Sequence, residues 1–144
     1  MIDGLILTPL KIIRDERGAV MHMLRADAPH FHGFGEIYFS IVNPGVTKGW
    51  KVHTKNWSNL AVPEGALRWV LFDARADSPT KGEFMDLTLG VDNYQLMTVP
   101  PGIAYSFQNT SSVPVLVANC ATAVHDPTEQ RILPLETYPF DWKK

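Results

Sequence analysis

Apolar and polar residues alternate along much of this chain with the period of two that marks a half-buried strand. In residues 35–42, Ile37, Phe39 and Ile41 fall on one face, and Tyr38 and Ser40 fall on the other. Residues 82–90 repeat the pattern, with Phe84, Asp86 and Thr88 opposite Met85, Leu87 and Leu89. Residues 66–75 read as a strand ending in an Asp-Ala-Arg-Ala-Asp turn, and further strands follow over 95–102, 104–109 and 113–122. Each run is bounded by turn residues, and the 10 glycines and 11 prolines are spread through the whole chain. Helical periodicity is nearly absent. Only residues 126–133 predict a helical turn, with Asp126 as N-cap and Pro127 at the first position. Many short strands with regular turns predict an all-β sandwich or barrel. The closing residues 135–144 carry Tyr138, Phe140 and Trp142 and read as an extended segment laid over that barrel.

The length of 144 residues suits one domain, spanning 1–144, with its own core. A net charge of −2 gives no electrostatic case for nucleic acid or an anionic membrane as partner. The single cysteine, Cys120, forms no internal disulfide and fits a reducing compartment. No apolar run has the length of a membrane span, and the opening residues lack the basic start of a signal peptide. The expectation is a soluble, cytoplasmic protein.

Residues 44–65 carry a recognisable spacing. Gly45 is followed by five residues, then Lys51-Val52-His53, then four residues to Ser58 and six to Gly65. Further on, Pro100, Gly102, Tyr105 and Asn109 keep a second set of intervals. These two stretches resemble the paired motifs of the cupins, which implies a jelly-roll barrel (a double-stranded β-helix). Metal-holding cupins place His, His, Glu and His where this chain has Lys51, His53, Ser58 and Tyr105. A protonated Lys does not ligate, Ser is a poor ligand, and one imidazole does not make a site, so no metal is expected. The other His-x-His, His30 and His32, lies in a Gly/Pro-rich loop without an acidic ligand at motif spacing.

Within the cupins, residues 14–18, 35–50, 70–75, 99–109, 119–129 and 138–142 resemble the nucleotide-diphosphate 4-keto-6-deoxysugar epimerases. The resemblance implies a homodimer, a nucleotide-sugar substrate, a place in deoxysugar and cell-surface polysaccharide biosynthesis, and no cofactor. It also implies proton abstraction next to a ketone, in which a base takes the proton, an acid returns it to the opposite face and a cation holds the enolate. In this family the base is a His supported by an Asp, and a Tyr is the acid. Matched position by position, the family's diphosphate-binding Arg falls on Lys48 and its base on Lys51. Its enolate-stabilising Lys falls near Ser58, its Tyr on Asn119 and the supporting Asp near Leu133. Arg17 matches an Arg that reaches into the neighbouring subunit's site.

The candidate catalytic residues are therefore Lys51, His53 and Tyr105. Strand alternation puts Lys51 and His53 on one face, and the imidazole of His53 could replace the missing base. The candidate binding residues are Arg17, Lys48, Arg68, Ser58, Asn119 and Tyr38. Two other readings remain open at this point: a barrel that binds a sugar nucleotide or carbohydrate without turning it over, and a sugar-nucleotide 3,4-ketoisomerase. Residues 19–25 would leave an open strand edge, which favours pairing with a second copy.

Overall fold

The alternation resolves into two five-stranded antiparallel sheets in the computed structural model, which describes all 144 residues. Strands are numbered in chain order. One sheet runs β1 (Ile6–Pro9), β9 (Gln95–Val99), β6 (Ser58–Glu64), β11 (Val115–Ala121), β4 (Glu36–Val42). The other runs β12 (Gln130–Leu133), β5 (Thr47–His53), β10 (Ile103–Gln108), β7 (Ala66–Asp73), β8 (Phe84–Gly90). A separate hairpin pairs β2 (Ile12–Asp15) with β3 (Gly18–Met21). From β4 to β12 sequence neighbours sit in opposite sheets, except β7 and β8, which pair as a hairpin in one sheet, so the chain winds back and forth across the barrel. This is the jelly roll that the motif spacing predicts.

The two sheets face each other over a core of alternating inward residues. Leu67, Trp69 and Leu71 of β7 meet Leu60 and Val62 of β6, Ile103 and Tyr105 of β10, and Val115 and Val117 of β11. The outer faces of both sheets are also partly covered, which is why β7 reads as a nearly unbroken apolar run. Val70, Trp50 and Ala104 point outward beneath Leu133, Tyr138, Phe140 and Trp142. The closing aromatics thus form a strap, and Trp50 Nε1 fastens it by donating to Leu135 O at 3.0 Å. On the other sheet, Ala61, Tyr94 and Leu96 are covered by Leu10, Ile12, Met21, Met23 and Leu24. One apolar face is left uncovered. Ile37, Phe39 and Ile41 of β4, an edge strand, are 54%, 65% and 67% exposed.

The helical turn expected over 126–133 does not form. Asp126 does cap as its type suggests, its Oδ1 accepting from Thr128 N at 2.9 Å, and Glu129 N closes one turn on Asp126 O. The chain then leaves as β12, because Arg131, Ile132 and Leu133 find ladder partners on β5. Tertiary pairing outweighs the local cap. No helix is long and apolar enough to cross a membrane.

Candidate functional site

The barrel interior opens into two adjoining chambers. The first, about 340 Å³, is bounded by Lys48, Lys51, Tyr38, Trp69, Tyr105 and Asn119, among others. The second, about 390 Å³, continues past Lys51 and Tyr38 to His53, Glu129, His125 and Glu36. Lys51 and Tyr38 border both chambers. Their polar ends stand 3.4 Å apart, forming a bar where the chambers meet.

Strand β5 supplies three of the site's side chains. Simple alternation puts Lys51 and His53 on the inner face and Lys48 on the outer one. Lys48 nonetheless lines the first chamber. The cause is a β-bulge: Tyr105 pairs with Lys51, but Phe107 pairs with Lys48, so three steps on β5 match two on β10. Ser106 Oγ donates to Lys48 O and ties down the irregular backbone. Gly49 sits in the bulge, where an added Cβ would meet Leu133 O at 2.6 Å.

From the opposite sheet come Tyr38 of β4, Ser58 of β6 and Asn119 of β11. Asn119 Nδ2 donates to the Tyr38 hydroxyl at 2.8 Å, and its Oδ1 accepts from Asn59 N at 3.2 Å. Cys120, next along, turns away and is buried outside the cavity wall. Ser58 Oγ lies 3.4 Å from the Tyr105 hydroxyl. Burial pushes the Tyr105 phenol well above its usual range, and the Ser58 contact offsets this only in part. Tyr105 therefore stays a neutral phenol.

His53 has a partner that the sequence reading did not include. Its Nδ1 lies 2.7 Å from Glu129 Oε1, with side chains only 11% and 7% exposed. The other carboxylate oxygen accepts from the backbone N–H groups of Thr54, Lys55 and Asn56, each at 2.9 Å. Burial alone would raise the Glu129 pKa, but the bonds from His53 and from the Asn56 and Lys55 amides outweigh it and hold the carboxylate ionised. His53 Nε2 is buried and has no partner in the protein.

The remaining candidates lie elsewhere. Arg17 is on the β2–β3 turn, 83% exposed, and pairs with Asp15 at 2.7 Å. Arg68 faces away from the chambers, because its neighbour Trp69 takes the inward position. Its guanidinium grips both oxygens of Asp86, at 3.1 and 2.8 Å, and donates to the Trp142 and Lys144 carbonyls. It also lies over the Phe140 and Trp142 rings, so it is a clamp for the strap and not a lining residue. His32 stacks on Trp57 at 3.8 Å between centroids, so both rings are already partnered. No three His, Cys, Asp or Glu side chains gather at metal-binding distances.

The family model described as dTDP-4-dehydrorhamnose 3,5-epimerase matches residues 1–142. The chain belongs to this family. The family is one of nucleotide-sugar epimerases, and the relatives agree with it. A spore coat polysaccharide biosynthesis protein of Bacillus subtilis, SpsL, is 32% identical over 99% of this chain and 97% of its own. A probable low-salt glycan biosynthesis epimerase of Haloferax volcanii, Agl13, is 30% identical over 85% of this chain and 82% of its own. The crystal structure of a dTDP sugar isomerase from Desulfovibrio desulfuricans superposes with a TM-score of 0.94, at 43% identity over 99% of this chain and 92% of that one.

Proposed function

We propose that this chain epimerises a nucleotide-diphosphate 4-keto-6-deoxysugar, with a dTDP sugar as the first substrate to test, on the way to a cell-surface polysaccharide. The observation that carries the reading is the position of Lys51. Its ammonium stands between the two chambers, beside Tyr38, so that a keto oxygen placed there meets a fixed cation. The 4-keto group acidifies the neighbouring carbons. A proton leaves one of them for His53 Nε2, the C–H electron pair becomes the enolate double bond, and the carbonyl electrons settle on the oxygen facing Lys51.

The proton returns on the opposite face from a phenol. Tyr38 suits this role, since its oxygen accepts from Asn119 and neighbours Lys51, leaving its own hydrogen to donate. His53 then gives up its proton, which restores the phenol through solvent. Tyr105 and Ser58 shape the wall of the first chamber. Lys48 at the outer end, with Arg17 delivered by a second subunit, binds the diphosphate. The exposed Ile37, Phe39 and Ile41 stripe supports a homodimer. In the cytoplasm the one thiol, Cys120, stays reduced.

The test is hydrogen exchange in D2O with dTDP- and CDP-linked 4-keto-6-deoxyglucose, read at C3 and C5 by NMR. Enzyme-dependent deuterium at either carbon, with an inverted centre in the product, is the expected result. No exchange, with the same nucleotides protecting the protein against heat, would make it a binding protein instead. A carbonyl that moves from C4 to C3 would make it a ketoisomerase.

A further inference from the structure

We infer that Glu129 is a positioning residue that fixes the tautomer of His53 and thereby makes Nε2 the proton acceptor. This rests on the reading above, in which His53 takes the proton from carbon. The two carboxylate oxygens face different neighbours. Three backbone N–H groups converge on Oε2 at 2.9 Å, and an N–H only donates, so only an oxygen fits there. Oε1 is left to meet His53 Nδ1 at 2.7 Å. An ionised carboxylate only accepts, so Nδ1 carries the hydrogen, and in the neutral ring Nε2 is then the nitrogen with the lone pair. That lone pair is buried without a protein donor. The carboxylate does not take the substrate proton. It holds the ring in the protonation state that can.

Neither member of this pair stands where the resemblance puts the family's base, on Lys51, or its supporting Asp, near Leu133. The strand register builds the pair anew. Gln130 pairs with His53 across β12 and β5, which brings the preceding Glu129 to the end of β5, where the turn 54–56 supplies the amides. A base two residues further along a strand is displaced by roughly 6–7 Å. The reacting carbon must then lie in the second chamber, on the far side of Lys51 from Lys48.

Glu129→Gln tests this directly. The three amides still demand an oxygen, so the new side chain turns its carbonyl to them and its NH2 to His53. Nδ1 must then accept, and the imidazole proton moves to Nε2. We would record 15N spectra of the imidazole nitrogens in both proteins, assigning His53 by the signals lost in His53→Gln. Steady-state rates with the sugar nucleotide that exchanges would be measured beside them. The expected result is an Nδ1–H tautomer in the wild type, an Nε2–H tautomer in Glu129→Gln, and a kcat lower by about 10²- to 10⁴-fold with KM little changed. A wild-type His53 carrying its proton on Nε2 would overturn the inference, and so would a folded variant that keeps the wild-type tautomer or the wild-type kcat. If Glu129→Gln does not fold, the wild-type tautomer decides alone. If no 4-keto sugar nucleotide exchanges with the wild type, the proposed function fails, and the spectra still decide the tautomer.

Discussion

Lys48 and Lys51, three residues apart on one strand, open onto the same chamber. A regular strand forbids this, and the bulge against Tyr105 and Phe107 permits it. The two cations are therefore set out along the cavity, and the proposed function gives them different tasks. Lys51→Met should lower kcat by about 10²- to 10³-fold, the usual loss when a transition-state donor is removed. Lys48→Ala should leave kcat near wild type and raise KM by about 10- to 100-fold, as for a lost charged hydrogen bond. Steady-state kinetics on the sugar nucleotide that exchanges will separate the two.

The bulge has its own weak point. Gly49→Ala puts a methyl 2.6 Å from Leu133 O, on backbone that has nowhere to go. A loss of about 1–3 kcal/mol is expected, read as a lower midpoint in denaturant. Activity should fall further than the population of folded protein explains, because Lys48 and Lys51 would no longer share a wall.

Arg68 offers a clean division between structure and binding. Its side chain is committed to Asp86 and to the strap, on the outer face of β7. Arg68→Ala should lower the melting temperature and leave KM unchanged. A raised KM with an unchanged melting temperature would return Arg68 to the substrate. Trp50→Ala, which removes the indole beneath the strap, should cost about 3–5 kcal/mol.

Acid stability follows from two carboxylates. Burial works to raise Asp73, but Arg75, Ser78 and Thr80 outweigh it and hold its pKa far below the ordinary value of 3.8. Glu129 is likewise held below 4.5. A group whose folded pKa is depressed contributes stability above its unfolded value and loses it as the pH falls through the folded one. Thermal unfolding should be insensitive to these groups above about pH 5 and should weaken steadily as the pH drops below 4. Asp73→Asn should start less stable and lose less over that window.

The β4 stripe predicts assembly. Phe39→Glu should convert a dimer to a monomer by light scattering, since it puts a charge in the centre of the uncovered apolar face. Activity should fall with it, because Arg17 would no longer reach a neighbouring site.

Much of this was legible in the residues. Alternation located β4 and β8 and set Tyr38 opposite Ile37, and motif spacing identified the barrel. The bulge was not legible, because an extra residue in a ladder leaves no mark in composition, so alternation turned Lys48 outward and only the family resemblance put it among the binding residues. Glu129 was hidden differently. It lies 76 positions from His53 in sequence. The local signal of Asp126 and Pro127 suggested a helical turn, which conceals a strand partner. Had residues 130–133 been read as a strand beside β5, the register would have put a carboxylate next to the lone motif His. Arg68 misled for the opposite reason. Both faces of β7 are apolar, so nothing nearby in the sequence told which way its cation turned.

The winding of the barrel also governs how it comes into being. Ile6 pairs with Thr98, and Val52 with Arg131. During synthesis β1 therefore waits for β9, and β5 waits for β10 on one side and β12 on the other. Contacts this distant make folding slow, on the scale of milliseconds to seconds. During that delay Ile37, Phe39 and Ile41 stand on an open edge. The surface that the proposed dimer would cover is thus also the one open to a wrong partner during synthesis.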